Sequence, residues 1–164
     1  MKSKYIALMG LLLAVALALS SIENIFTSVL PLGIRIGLAN IVIMFAVIAL
    51  DTKSAFILTI LKSLFVFLTR GVTAFGMSIC GGILSLVVIL ILYKKVNPSI
   101  LLLSILGAIA HNIGQLFLAS LITQNISTLL YGFILIIGGF SAGICTGIVL
   151  KIIIPYAERI KDRI

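Results

Sequence analysis

Very little of this sequence is charged, and almost none of it is acidic: Asp and Glu together number 4 in 164 residues. That scarcity removes several function classes at once. No paired carboxylates stand at an acid/base spacing, and no glycine loop precedes a Lys-Ser/Thr. Asp-rich motifs that would bind a magnesium diphosphate are absent, as are clusters of metal ligands. A prenyltransferase or ATPase centre on this chain alone is not expected, and neither is a catalytic residue, a metal site or a cofactor. The two cysteines, Cys80 and Cys145, each lie inside an apolar run and read as small packing residues, not as a disulfide.

What is present is apolar. Hydrophobic residues make up 62% of the chain, charged ones 10%, and the mean hydropathy is +1.39. A soluble domain averages about half apolar and about a quarter charged, so lipid is the solvent for most of this surface. The net charge of +8 would suggest nucleic acid in a soluble protein. Here the basic residues sit mainly at the ends of apolar runs, where they set topology and meet anionic headgroups; no nucleic acid is expected.

The runs organise the chain as one polytopic membrane domain over residues 1–164, an all-α bundle of about six transmembrane helices. They fall near 5–22, 37–50, 54–69, 73–93, 100–122 and 129–154, with a charged tail over 155–164 opened by Pro155. Lone strands are excluded because a backbone in hydrocarbon must satisfy its own hydrogen bonds, and no barrel-like alternation occurs. The second and third runs fall short of the ~20 residues of a full crossing, so a short hairpin that does not cross is an alternative for that pair.

Basic residues orient the bundle. With the N-terminus inside, the inner segments hold Lys2, Lys4, Lys53, Lys94, Lys95, Lys151, Arg159, Lys161 and Arg163, and the outer ends hold only Arg35 and Arg70. That asymmetry predicts both termini inside a cytoplasmic membrane. A cleavable signal peptide is the competing reading of the first helix, from Lys2 and Lys4, the apolar stretch, then Ala14, Ala16, Ala18 and Ser20.

Polar groups inside apolar helices are costly, and so they mark function. Lys62 lies mid-way along the third helix and Arg70 at its outer end, on roughly one side and about 12 Å apart. On the fifth helix His111 and Gln115 form an i, i+4 pair, with Asn112 adjacent and Gly107, Ala110 and Gly114 flanking. Asn40 sits near the outer end of the second helix; Glu23, Asn24 and Arg35 border the first outer loop. All these groups fall in the middle or outer half of the bilayer, and the inner halves are aliphatic. The pattern predicts a net-positive cavity, open outward and capped by residues 24–36, for a small ligand that joins a carboxylate or phosphate to an apolar body. Each residue also has a plainer role: Lys62 snorkels or pairs with Glu23, Asn112 and Gln115 bridge helices, and Arg70 anchors the interface. Asn125-Ile126-Ser127 fits a glycosylation triplet, a pattern frequent by chance.

Small residues recur every fourth position on the first helix (Gly10, Ala14, Ala18) and the last (Gly139, Gly143, Gly147). Such ridges let helices approach closely in lipid. They serve packing within the chain or docking of another membrane subunit, for which the first helix is the better candidate.

Three stretches carry a resemblance: Ala18-Leu-Ser-Ser-Ile-Glu-Asn24, Gly33-Ile-Arg-Ile-Gly-Leu-Ala-Asn-Ile-Val42 and Gly107-Ala-Ile-Ala-His-Asn-Ile-Gly-Gln-Leu116. Over roughly residues 5–150 the chain resembles the Gx transporter family, often labelled heptaprenyl diphosphate synthase component I. That family is similar to the substrate-binding S components of energy-coupling-factor (ECF) vitamin transporters. The resemblance implies six helices with both termini inside and an outward site under the first outer loop. It also implies that Gly10, Ala14 and Ala18 contact a membrane coupling subunit driven by ATPases. The missing Asp-rich motifs reduce the synthase label to a non-catalytic accessory subunit. Some relatives are associated with flavin- and quinone-linked electron export in Gram-positive bacteria, a third reading.

Overall fold

The computed structural model describes residues 2–27, 37–125, 130 and 132–161. Among these the chain is helical throughout, with six helices: α1 Lys2–Thr27, α2 Asn40–Ala49, α3 Thr52–Arg70, α4 Val72–Lys95, α5 Ile100–Thr123 and α6 Gly132–Lys161. Five of them are long and apolar enough to cross a membrane, and the sixth, α2, is not. The protein is a multi-pass helical membrane bundle.

The short pair anticipated from the sequence resolves into one short helix and one full-length one. At 19 residues, α3 extends about 28 Å, close to the ~30 Å hydrocarbon core. The ten residues of α2 extend only about 15 Å. It begins three residues later than expected because Gly37 adopts φ +75, a left-handed conformation open mainly to glycine. The turn Gly37–Ala39 follows, closed by bonds from Asn40 N–H to the Gly37 carbonyl and from Ile41 N–H to that of Leu38. A helix apolar on every side belongs in an interior, and α2 buries Val42, Ile43, Met44, Phe45, Ala46, Val47 and Ala49.

Asp51 separates α2 from α3 by capping the latter: its carboxylate accepts from Ser54 N–H at 2.6 Å and from Ser54 Oγ at 2.8 Å. With its hydroxyl proton committed to Asp51, Ser54 accepts from Tyr5 Oη at 2.6 Å, which ties the start of α1 to this end. Gly71, at φ +83, ends α3 and opens α4.

Lipid offers no hydrophobic drive between helices, so contact depends on close backbone approach. A Cβ on Gly114 of α5 would lie 2.8 Å from Gly81 Cα and 2.9 Å from the Cys80 carbonyl of α4. Along α6, Gly139, Gly143 and Gly147 all face α5, where a Cβ at Gly143 would collide with the backbone of Ile105. The ridge of the last helix therefore packs within the chain. That of the first does not: Gly10, Ala14 and Ala18 are all exposed, and only 11% of the α1 span is buried against 44% of the α5 span.

Helix α6 continues through Pro155 to Lys161 instead of stopping at residue 154. Proline withholds one N–H from the Lys151 carbonyl, a loss that helices in membranes accommodate by local adjustment.

Candidate functional site

One end of the bundle is aliphatic. Leu58, Leu103 and Leu150 are almost wholly buried there, together with Leu86, Ile89 and Ile154, around the buried flank of α2. The polar side chains collect toward the opposite end.

Each arrives there for a local reason. Ser20 and Glu23 are three residues apart and share a face of α1 near its C-terminal end. The Gly37 turn brings its own N–H to Glu23 Oε1. Asn40, at the first position of α2, accepts from Lys62 Nζ of α3 at 2.9 Å. Arg70, two turns beyond Lys62, donates from Nη2 to the Ser20 carbonyl at 3.2 Å, and Glu23 acts on its guanidinium electrostatically. Ser78 of α4 meets Ser63 of α3 at 3.1 Å. On α5, His111 Nε2 and Gln115 Nε2 are 2.8 Å apart, so the ring nitrogen accepts in the tautomer that leaves it unprotonated. Gly81 makes room for this pair, since a Cβ there would lie 2.6 Å from the His111 carbonyl and 2.8 Å from Gln115 Cγ.

These residues line a single cavity: Ser20, Glu23, Asn40, Lys62, Arg70, Ser78, His111 and Gln115, with Gly37, Ala39 and Val66. Lys62 is 4% exposed, Glu23 6% and His111 4%. The free space is about 20 Å³, room for a water or two. Next to it, sharing Gly37 and Asn40, is a second cavity of about 10 Å³ with Ser85, Ser104 and Thr146 in its wall. Ser85 Oγ donates to the Gly107 carbonyl at 2.8 Å, and Ser104 meets Thr146 at 2.7 Å. Asn40 Nδ2, buried between the two cavities, has no hydrogen-bond partner among the described residues.

Electrostatically the first cavity has two cationic side chains, Lys62 and Arg70, against the carboxylate of Glu23. The N-terminus of α2 adds to the positive side. It has no side-chain cap; its Asn40 and Ile41 N–H groups are held within the Gly37–Ala39 turn, so what favours an anion there is the helix dipole. An oxyanion held there would take charge-assisted hydrogen bonds from Lys62 and Arg70. No group of three His, Cys, Asp or Glu among the described residues could hold a metal ion.

Of the residues singled out in the sequence, Glu23, Asn40, Lys62, Arg70, His111 and Gln115 come together. Asn112 does not join them. One position on from His111 it points about 100° away around the helix, and its Nδ2 donates to the Leu135 carbonyl of α6 at 2.9 Å. Of the loop over residues 24–36 expected to cap the site, 24–27 instead continue α1, and 28–36, with Arg35, lie outside the described residues. Ser20 and Ser78 were not anticipated. A serine in a membrane helix bonds to nearby carbonyls at little cost, so it stands out less than a charge; the i, i+3 spacing of Ser20 and Glu23 was the available signal.

Fold and site thus define a helical membrane protein with a buried, mixed-charge polar centre near one end. The heptaprenyl diphosphate synthase component I family model matches residues 12–153. The chain belongs to that family. No curated protein and no solved structure matches it.

Proposed function

We propose that this protein is the membrane-embedded substrate-binding subunit of an ECF-type uptake system, for a small anionic or amphipathic molecule. The observation that carries the reading is the convergence of Lys62, Arg70, Asn40, His111 and Gln115 on one cavity at the N-terminus of a half-length helix. Transporter sites recur at such broken helices, with the N-terminal dipole facing an anionic group. Lys62 and Arg70 bind the acid group, Asn40, His111 and Gln115 orient the rest, and Glu23 holds the unliganded state closed.

The cavity is far smaller than the 300–1,000 Å³ typical of ligand pockets, so binding requires the helices to part. Helix α1 is the element to move. It is the least buried span, and at the site end it is held by the Arg70–Ser20 and Glu23–Gly37 hydrogen bonds. Its outer face, with Gly10, Ala14 and Ala18, is the docking surface for a membrane coupling subunit worked by ATPases. Both termini lie in the cytoplasm of a bacterial cell, and the chain itself is non-catalytic.

Native mass spectrometry from mild detergent tests the reading. A small acidic molecule retained by the wild type and lost from Lys62→Met and Arg70→Met supports it; retention unaffected by both changes overturns it. The family description favours a second reading, an accessory subunit of heptaprenyl diphosphate synthase. That one requires a soluble catalytic subunit to co-purify and synthase activity to fall when this chain is removed.

A further inference from the structure

Away from the polar cavity, the outer face of α3 and α4 carries a groove of about 430 Å³. Its position follows from the sequence of α4. Gly82 lets α4 sit against α3, where a Cβ would lie 2.8 Å from Thr59 Cγ2. From Ile83 to Leu92 α4 is bulky and aliphatic apart from Ser85, and the groove runs along that stretch. Leu86, 2% exposed, forms its floor; Phe56, Ile57, Ile83 and Val87 form the walls and are 39–46% exposed. The mouth therefore faces the hydrocarbon.

One end of the groove is basic. Lys53 lines it there, beside Thr52 and across from Leu90. Helices α3 and α4 are antiparallel, so Lys94 and Lys95, in the last turn of α4, lie at that same end, and all three lysines are exposed. Asp51, two residues before Lys53 in the chain, is turned onto Ser54 as a helix cap. Among the described side chains, three cations beside a carboxylate committed to Ser54 leave this rim positive. An apolar channel a turn or two deep, ending at a positive rim beside the membrane surface, matches a molecule with a hydrocarbon tail and an anionic head.

We propose that the α3–α4 groove is a binding site for an anionic phospholipid, one acyl chain lying over Leu86 and the phosphate meeting Lys53, Lys94 and Lys95. Neutral-headed lipids fill the same channel without the electrostatic contribution. Each basic residue near an anionic lipid surface contributes about a fivefold preference.

The full chain in mild detergent is titrated with phosphatidylglycerol or with phosphatidylcholine of identical acyl chains, and the first lipid adduct is read by native mass spectrometry. Phosphatidylglycerol is expected to bind about tenfold or more tightly than phosphatidylcholine. Lys53→Gln should lower its affinity about fivefold, and Lys53→Gln/Lys94→Gln/Lys95→Gln should bring it to the phosphatidylcholine level. Lys151→Gln, a lysine of α6 outside the groove, should change nothing. Val87→Trp fills the channel and should abolish the tight adduct; Ile83→Phe, a smaller filling on the same lipid-facing wall, should weaken it.

Equal affinity for the two lipids overturns the proposal. So does a loss with Lys151→Gln as large as with Lys53→Gln, or an unchanged adduct in both groove-filling variants. Displacement of phosphatidylglycerol by an equal concentration of farnesyl diphosphate would assign the groove to prenyl diphosphates and also overturn it.

Discussion

At the end of the bundle where α2 meets α3, Leu58, Leu103 and Leu150 pack around the buried flank of α2, with the Asp51 cap, the Tyr5–Ser54 bond and exposed lysines confined to its rim. At the other end Glu23, Lys62, Arg70 and His111 surround a cavity. Lipid rewards neither arrangement through the hydrophobic effect, since acyl chains are as apolar as leucine. The aliphatic end is held by dispersion contacts among its buried side chains. The polar end instead concentrates groups that each cost free energy to keep in a membrane. A fold gains little stability from such a cluster, so its existence points to binding. Substitutions at the first end are therefore expected to reduce stability and spare the ligand, with the reverse at the second.

The largest effect is expected at the α5–α6 seam that joins the two ends. Gly143→Ala places a methyl group against the backbone of Ile105; backbone cannot rotate away as a side chain does. Overpacking of this kind costs about 3 kcal/mol, read as a drop in the detergent melting temperature. Gly10→Ala is its counterpart, because a Cβ there meets nothing within 4 Å. Its stability should stay within about 0.5 kcal/mol of wild type, while co-purification of a coupling subunit falls if α1 is the docking face. Equal melting temperatures for the two variants would show that the glycine ridges do not differ in role.

Next in size is Leu58→Ala in the aliphatic core, where Leu58 is 0% exposed. In water such a change costs about 2–5 kcal/mol. Here the transfer contribution is small and the cavity contribution remains, so about 2 kcal/mol is expected, with ligand retention unchanged. Loss of the ligand at full stability would mean that the binding region extends through the core.

Asp51→Ala should cost about 1 kcal/mol, the usual value of an N-cap. The backbone N–H of Ser54 holds the Asp51 carboxyl below the ordinary aspartate range. A depressed folded-state value means that the contribution is full above the unfolded pKa of about 3.9 and fades as pH falls through the lower folded value. Wild type and variant should thus converge in melting temperature in acid; a gap that persists there would show that the cap does not act through its charge.

The contrast between the ends is largely legible in the sequence, and for the same energetic reason. Lys62, Arg70, His111 and Gln115 stand out in apolar runs because polar groups are expensive there, and they do converge. What was not legible depended on angle and partner. Asn112 carries the same signal as His111 but is directed to the Leu135 carbonyl. Gly81 and Gly82 set the approach of α4 to α5 and α3, but without a four-residue repeat they carry no ridge signal in the sequence. The start of α2 is shifted because hydropathy alone does not register the positive φ of Gly37, and α6 continues past Pro155 because a membrane helix accommodates the one missing N–H by local adjustment.

The smallest stability change, and the one that decides most, is expected for Lys62→Met. A lysine in the middle of a membrane helix costs about 2.5–3.5 kcal/mol on insertion scales. Methionine removes that cost and fills much of the same volume. Against the gain, Asn40 Oδ1 loses the donor it holds at 2.9 Å, and a buried acceptor left unsatisfied costs about 1–3 kcal/mol. The two nearly cancel, so the variant should unfold within about 1 kcal/mol of wild type and, on the proposed function, fail to retain an acidic ligand. Lys62→Arg keeps the charge and should keep part of the binding. If Lys62→Met instead unfolds more than about 2 kcal/mol earlier, beyond what the lost Asn40 bond accounts for, then Lys62 is structural glue between α2 and α3. The polar end would in that case be a second way of holding helices together, and the cost of its central residue would no longer point to binding.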